Sequence, residues 1–342
     1  MTFPPEVTRM WGGRKNERKI GMPSIIAVGE ALVEIMRTEL DRPLDRPAAF
    51  AGPFPSGAPA IFASAAARLG ASVGMVATIG DDAFGRCISD RLRADGLDLG
   101  ALQVSRSKLT GMAFVSYRSD GERSFLFHLR DAAAADVSPD QVPDGYLDAV
   151  RHLHIAGSSL SVGASLRKTC YALAQRVHRR GGTISLDPNL RPELMPVDEI
   201  RAICQPILDV ATYVLPSGAE LLGLVDAATP EQGAQELLRR GVKLVALKRG
   251  AQGSTLFTQE GALDVSPYHV AEVDPTGAGD CYAAGLVTAL LRGWDLATAG
   301  MLANAVGALA TTRLGPMEGT FPLAEVARFM AEQGRPLPDG LI

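Results

Sequence analysis

Apolar runs of two lengths alternate along this chain. The short ones, bounded by Gly, Pro, Ser or Asp, predict buried strands at Ser24 to Gly29, Leu32 to Met36, Ser72 to Ile79, His152 to Ile155, Thr183 to Asp187, Thr212 to Leu215 and Lys243 to Leu247. The longer ones predict helices: from Gly57 to Leu69 with Gly70 as its stop, from Asp81-Asp82 to about Asp95, from Cys281 to Arg292, and from about Leu296 to Thr312. Beyond about residue 150 strand and helix alternate regularly, which predicts a mainly parallel sheet covered on both faces. Two hairpins interrupt the alternation, Met112 to Tyr117 with Ser124 to Leu129, and Thr255 to Phe257 with Ala262 to Val265. Arg37 to Pro55, rich in proline and charge, reads as loop or edge strand. Residues 1–22 lack apolar periodicity and read as a disordered extension, and 336–342 read as a tail.

At 342 residues, 46% of them hydrophobic, the chain can bury one large α/β core with an appendage. No run is apolar for the roughly 20 residues a bilayer crossing needs, and no signal peptide is evident, so the expectation is a soluble cytoplasmic protein with no membrane partner. The net charge of −4 and scattered arginines argue against a nucleic-acid partner. Cys87, Cys170, Cys204 and Cys281 lie far apart and read as reduced and mostly buried, with no zinc or disulfide pattern. The histidines form no HExxH pair, and His152 and His154 share one face of a strand, which reads as a polar face. Neither GxxxxGK(S/T) nor an early GxGxxG occurs.

The chemistry concentrates at Val273 to Asp280, which reads as a strand end, a glycine loop and a helix start. Gly277 and Gly279 let the amides of Gly277, Ala278 and Gly279 crowd an anion, and the helix they open aims unpaired N–H groups and a positive dipole end at it. Asp280, in the first turn, is placed to take a proton from a hydroxyl while the loop holds a transferring phosphoryl group. A tight turn before a helix with a favourable acidic residue would look the same.

Asp274-Pro275-Thr276-Gly277-Ala278-Gly279-Asp280 resembles the Asp-x-Thr-Gly-Ala-Gly-Asp signature of the PfkB, or ribokinase-like, carbohydrate kinases. The resemblance implies a doubly wound α/β fold spanning 23–335, with a small β-sheet lid from about 33–55 and 109–129 that often mediates homodimers. It implies ATP and Mg²⁺, with Asp280 as base and Gly277 to Gly279 as the anion hole. Asp187-Pro188-Asn189-Leu190-Arg191 is similar to the family's Asp-x-Asn-x-Arg, and Lys248-Arg249-Gly250-Ala251-Gln252-Gly253 to its nucleotide-side turn. Asn189, Arg191, Lys248, Gly250, Gly253, Thr276 and Asn304 are thus implied on the ATP side. Glu220 is implied at the magnesium shell, although Ser217 replaces the asparagine of that motif. For the sugar, the resemblance implies Glu34, Gly57, Ala58 and the lid residue Arg123, with Asp280 at the reacting hydroxyl; Arg130 is a further lid candidate. Ile61 stands where the family usually has a sugar-binding asparagine. Asp81 and Asp82 are expected to cap a helix. The stretches Gly52 to Phe62 and Gly315 to Gly319 resemble the tagatose-kinase branch, which points to tagatose or fructose as acceptor. The alternatives are 2-keto-3-deoxygluconate and a catalytically weak sugar sensor, the latter motivated by Ile61 and Ser217.

Overall fold

The structure is a computed structural model and describes residues 22–120, 123–338 and 340–341. Apart from Met22, the expected extension lies outside the described residues. The chain enters through β1 (Ile25–Val28), then β2 (Leu32–Arg37) and β3 (Phe50–Ser56), and α1 (Ala58–Arg68) leads into β4 (Val73–Gly80). Next, α2 (Ala83–Ala94) leads to β5 (Leu102–Ser105), and β6 (Gly111–Tyr117) is followed by β7 (Arg123–His128). From β8 (His152–Ala156) the alternation is regular: α3 (Gly157–Val162) and α4 (Ala164–Arg179) precede β9 (Thr183–Asp187), and α5 (Val197–Leu208) precedes β10 (Tyr213–Val214). Then α6 (Gly218–Leu224) and α7 (Pro230–Arg239) precede β11 (Leu244–Lys248). The hairpin of β12 (Ser254–Thr258) and β13 (Gly261–Val265) comes before α8 (Ala278–Leu291), α9 (Leu296–Ala310) and α10 (Leu323–Glu332).

Among the described residues the main sheet has nine strands in the order β13-β12-β11-β10-β9-β8-β1-β4-β5. It is parallel from β11 to β5, and β12 and β13 add an antiparallel edge. A strand such as Ile25-Ile26-Ala27-Val28 is buried throughout because helices cover both faces, so it reads as continuously apolar. One core holds Phe62, Met75, Leu286 and Leu302, with the alanine-rich α1 packed on α8. The opposite core holds Leu153, Leu173, Ile184 and Ile207. A separate four-stranded sheet, β3-β2-β6-β7, combines antiparallel β2–β3 and β6–β7 pairs with a parallel β2–β6 pair.

Asp82 caps α2 by accepting from Gly85 N at 2.8 Å, whereas Asp81 only precedes the cap. Three expectations need correction. No strand precedes the glycine loop: residues 266–277 are irregular and are held instead by bonds such as Val273 N to Thr311 O at 2.7 Å. The face carrying His152 and His154 is not solvated; both rings are fully buried and share the Ser185 hydroxyl at 2.8 Å, and burial pushes His152 down to about 3. Leu337, in the expected tail, is part of the core. The strand β5 and the helix α10 had no counterpart in the sequence reading. Cys170, Cys204 and Cys281 are buried, Cys87 is half-buried, and all four are free.

Candidate active site

Two adjoining cavities, of about 400 and 280 Å³, lie at the carboxyl ends of the parallel strands, the larger of them also lined by the small sheet. They share Lys248, Gly250, Pro275 and Gly279, so the glycine loop forms the wall between them. Ligand sites in open α/β sheets form at this edge because loops leaving adjacent strands diverge there.

Gly277 is the N-cap of α8 with φ +81°, and a Cβ there would sit 2.5 Å from the Pro316 carbonyl oxygen. Only glycine meets both conditions. A Cβ at Gly279 would sit 3.2 Å from Lys248 Nζ, so the missing side chain admits an ammonium group beside the helix terminus. The start of α8 and the Lys248 ammonium thus flank one corner suited to a phosphoryl group, although of the three amides expected there Ala278 N already donates to Pro275 O at 3.3 Å. Asp280, half-buried in the first turn of α8, opens into the larger cavity. Burial, then the nearby Asp187 charge, raise its carboxyl well above the usual range against the opposing pull of Lys248 and Arg191.

Lys248 closes β11, and its Nζ bonds Asp187 Oδ2, at the end of β9, at 2.5 Å. Burial disfavours its charge, but Asp187, Glu220 and Asp280 outweigh that and keep it protonated. The other Asp187 oxygen is buried with no hydrogen-bond partner. Glu220 is already engaged: Oε2 accepts from Ser217 N at 2.7 Å and Oε1 from Leu190 N at 3.3 Å, while the Ser217 hydroxyl accepts from Glu220 N. Ser217 therefore preserves the turn by capping α6. A divalent cation fits this corner best through the orphaned Asp187 oxygen, with Glu220 behind it, because Mg²⁺ keeps most of its waters and needs few protein ligands. Asn189 takes φ +39°, a conformation asparagine tolerates, and with Arg191 it lines the larger cavity; the Arg191 guanidinium lies 5.7 Å from the Phe125 ring centre.

At the far end of that cavity Glu34 Oε1 accepts from Ser56 Oγ at 2.6 Å, and Oε2 is buried without a partner. Burial, augmented by the Asp274 charge, moves this carboxyl up to about 7 against the Ser56 bond and two arginines. Glu30 accepts from Ser158 and Ser159 at 2.7 and 2.5 Å, and burial raises it too. Gly57, φ +107°, passes so close to Glu30 that a Cβ would lie 2.4 Å from its carbonyl oxygen. Ala58 and Ile61 follow on α1, and Arg123, Phe125 and Phe127 on β7 cover the cavity. Arg130 does not line it; the guanidinium donates to the Leu194 carbonyl instead.

The smaller cavity is lined by Gly253, Ala278, Tyr268, Tyr282 and Asn304 among others. The Asn304 amide is committed within the protein: Nδ2 donates to Val265 O and Ser266 O at 2.9 and 3.0 Å, and Oδ1 accepts from Ser254. It shapes the wall and holds the end of β13. Thr276 borders the larger cavity. The sequence pattern does not single out Glu30 or Phe125, and it places Asp187 inside the Asp187-to-Arg191 motif without giving it a role.

The profile of the pfkB family carbohydrate kinases matches residues 22–322, and the chain belongs to that family. Fructokinase-1 of Zea mays is 31% identical over 91% of this chain and 98% of its own. The 2-dehydro-3-deoxygluconokinase of Bacillus subtilis is 30% identical over 81% and 87%. Among solved structures, an E. coli protein provisionally named ribokinase II, in complex with ATP and Mg²⁺, is 39% identical, covers 91% of this chain and 99% of its own, and superposes with a TM-score of 0.85. The protein is a sugar kinase with the ribokinase-like fold.

Proposed function

We propose that this kinase transfers the γ-phosphoryl group of ATP to a hydroxyl of a neutral ketohexose, tagatose or fructose, bound in the larger cavity. The observation that carries the reading is the Glu34 carboxylate, which is buried and has one oxygen without a protein partner in that cavity. A carboxylate in that position accepts hydrogen bonds from hydroxyl groups, and a sugar supplies several. The smaller cavity takes the adenosine portion, with Gly250, Gly253 and Asn304 as wall, and the triphosphate reaches across Lys248 and Gly279 toward Asp280. Asp280 accepts the proton of the acceptor hydroxyl as its oxygen bonds to the γ-phosphorus, and the bond to the bridging oxygen breaks to release ADP. The amides of Gly277 and Gly279, with Lys248, hold the transferring group, while Ala278 N is committed to Pro275 O; Thr276 fixes the loop's entry. Mg²⁺, when bound near Asp187 and Glu220, supplies charge neutralisation along the phosphates.

A second reading has its own observation. Arg123 and Arg191 both border the acceptor cavity, and an arginine pair suits the carboxylate of 2-keto-3-deoxygluconate. An ATP-consumption panel of tagatose, fructose, 2-keto-3-deoxygluconate and adenosine decides between them. A ketohexose with the highest kcat/KM is expected; a sugar acid preferred by about tenfold or more overturns the first reading. Homodimerisation through the small sheet is part of the proposal, supported by the exposed Phe50 and Leu126 on its edge strands, and sedimentation velocity tests it.

A further inference from the structure

Tyr117 ends β6 on the small sheet, yet its side chain reaches the segment that leads into the glycine loop. Its hydroxyl lies 3.0 Å from Asp274 Oδ1 and 2.9 Å from Thr276 Oγ1, both on buried residues. Asp274 is anchored to the main body: Oδ1 accepts from Thr276 N at 3.0 Å, Oδ2 from Gly315 N at 2.9 Å, and its own N–H donates to Thr311 O. Arg123, which lines the acceptor cavity from the same small sheet, brings Nη1 within 3.5 Å of Thr276 Oγ1.

The proton directions follow from what each group can do. A carboxylate only accepts, so Tyr117 donates to Asp274; the phenol oxygen then accepts from the Thr276 hydroxyl, whose lone pairs face Arg123. The result is a directional chain from the acceptor cavity to the entry of the phosphoryl cradle. The segment it ties down, Thr276-Gly277-Ala278-Gly279, contains two glycines and loses more freedom on ordering than most tetrapeptides. Bonds from the small sheet supply part of that ordering, and only while the sheet stands where it does here.

We propose that Tyr117 is a positioning residue that locks the glycine loop to the small sheet, so that the loop holds its anion-binding shape while that sheet is closed over an acceptor. The inference rests on the kinase reading above. An acceptor that favours the closed sheet then favours nucleotide binding, and the nucleotide favours the acceptor by the same factor. A residue that merely packs would carry no such coupling.

The test measures binding of a non-hydrolysable ATP analogue with Mg²⁺ by calorimetry, with and without the best acceptor from the panel, in wild type and in Tyr117→Phe. Wild type is expected to bind the analogue about fivefold or more tightly when the acceptor is present. In Tyr117→Phe that factor falls to about twofold or less, while affinity for the analogue alone changes little. Thr276→Val should repeat the loss and Thr276→Ser should keep the coupling, which decides the matter if Tyr117→Phe melts early. A wild type without coupling, or a coupling factor unchanged in Tyr117→Phe, overturns the proposal. Hydrogen exchange at residues 274–280 in the presence of the panel sugar that binds most tightly should quicken about tenfold in Tyr117→Phe, and unchanged exchange also overturns the proposal. A wild type that phosphorylates nothing in the panel, by contrast, counts against the function rather than the lock.

Discussion

Ile61 sits one turn inside α1, 3% exposed, on the wall of the acceptor cavity and against the glycine loop, where a Cβ on Gly277 would lie 3.2 Å from its Cγ2. An apolar side chain there leaves no buried polar group to be matched, so a sugar with an epimerised hydroxyl should be tolerated if the proposed acceptor site is right. Ile61→Asn should change the ratio of kcat/KM for tagatose and fructose by roughly 1–3 kcal/mol, the cost of an unmatched buried polar group. If neither constant moves, Ile61 does not meet the acceptor. Glu34 makes a prediction with a sign. Its folded carboxyl titrates at about 7, above the ordinary value of 4.5, so the native state favours the protonated form. That stability is complete below the unfolded value and is lost as pH rises through 7. Glu34→Gln should therefore melt higher than wild type at pH 8.5, by up to about 3 kcal/mol, and lose the advantage by pH 4. An advantage independent of pH would contradict the assignment. Single residues were the least legible scale: Asp187 and Glu30 each end or follow a strand, where an acidic residue reads equally as a turn former, and only the fold brings them to one cavity with Lys248.

The glycine loop and α8 were legible as an element because two glycines and an acidic first turn leave few conformations open. The strand expected before the loop was not there, because Val273, at its supposed end, is exposed and its N–H bonds the end of α9 rather than a neighbouring strand. The short strand β5 escaped because Gln103 and Val104 are exposed at the sheet edge and the strand lacks a continuous apolar signal. By contrast β9 has the bounds expected, since Thr183–Asp187 is a buried run closed by proline. Gly277→Ala tests the loop directly. With φ +81° and the Pro316 oxygen 2.5 Å from the new methyl, it should cost at least about 1 kcal/mol in a denaturant titration and lower kcat sharply. Wild-type stability together with wild-type kcat would contradict the strained-loop geometry.

For the molecule as a whole, alternating strands and helices predicted the parallel sheet, and with it the edge at which the cavities open. The small sheet was not derivable from periodicity, since its strands come from two distant stretches of chain and join through the parallel β2–β6 pair. Its position over the cavity brings Arg123 and Phe125 to the cavity wall and Tyr117 to the loop. What this architecture assembles is a raised carboxyl, Asp280, beside a phosphoryl cradle. The measurement that bears most directly on it is the Asp280→Asn variant, assayed for ATP-dependent phosphorylation of the preferred acceptor and, by calorimetry, for binding of both ligands. A fall in kcat of about 10²- to 10⁴-fold with both affinities within a few-fold of wild type is predicted. Activity within a few-fold of wild type would contradict the role of Asp280 as the proton acceptor.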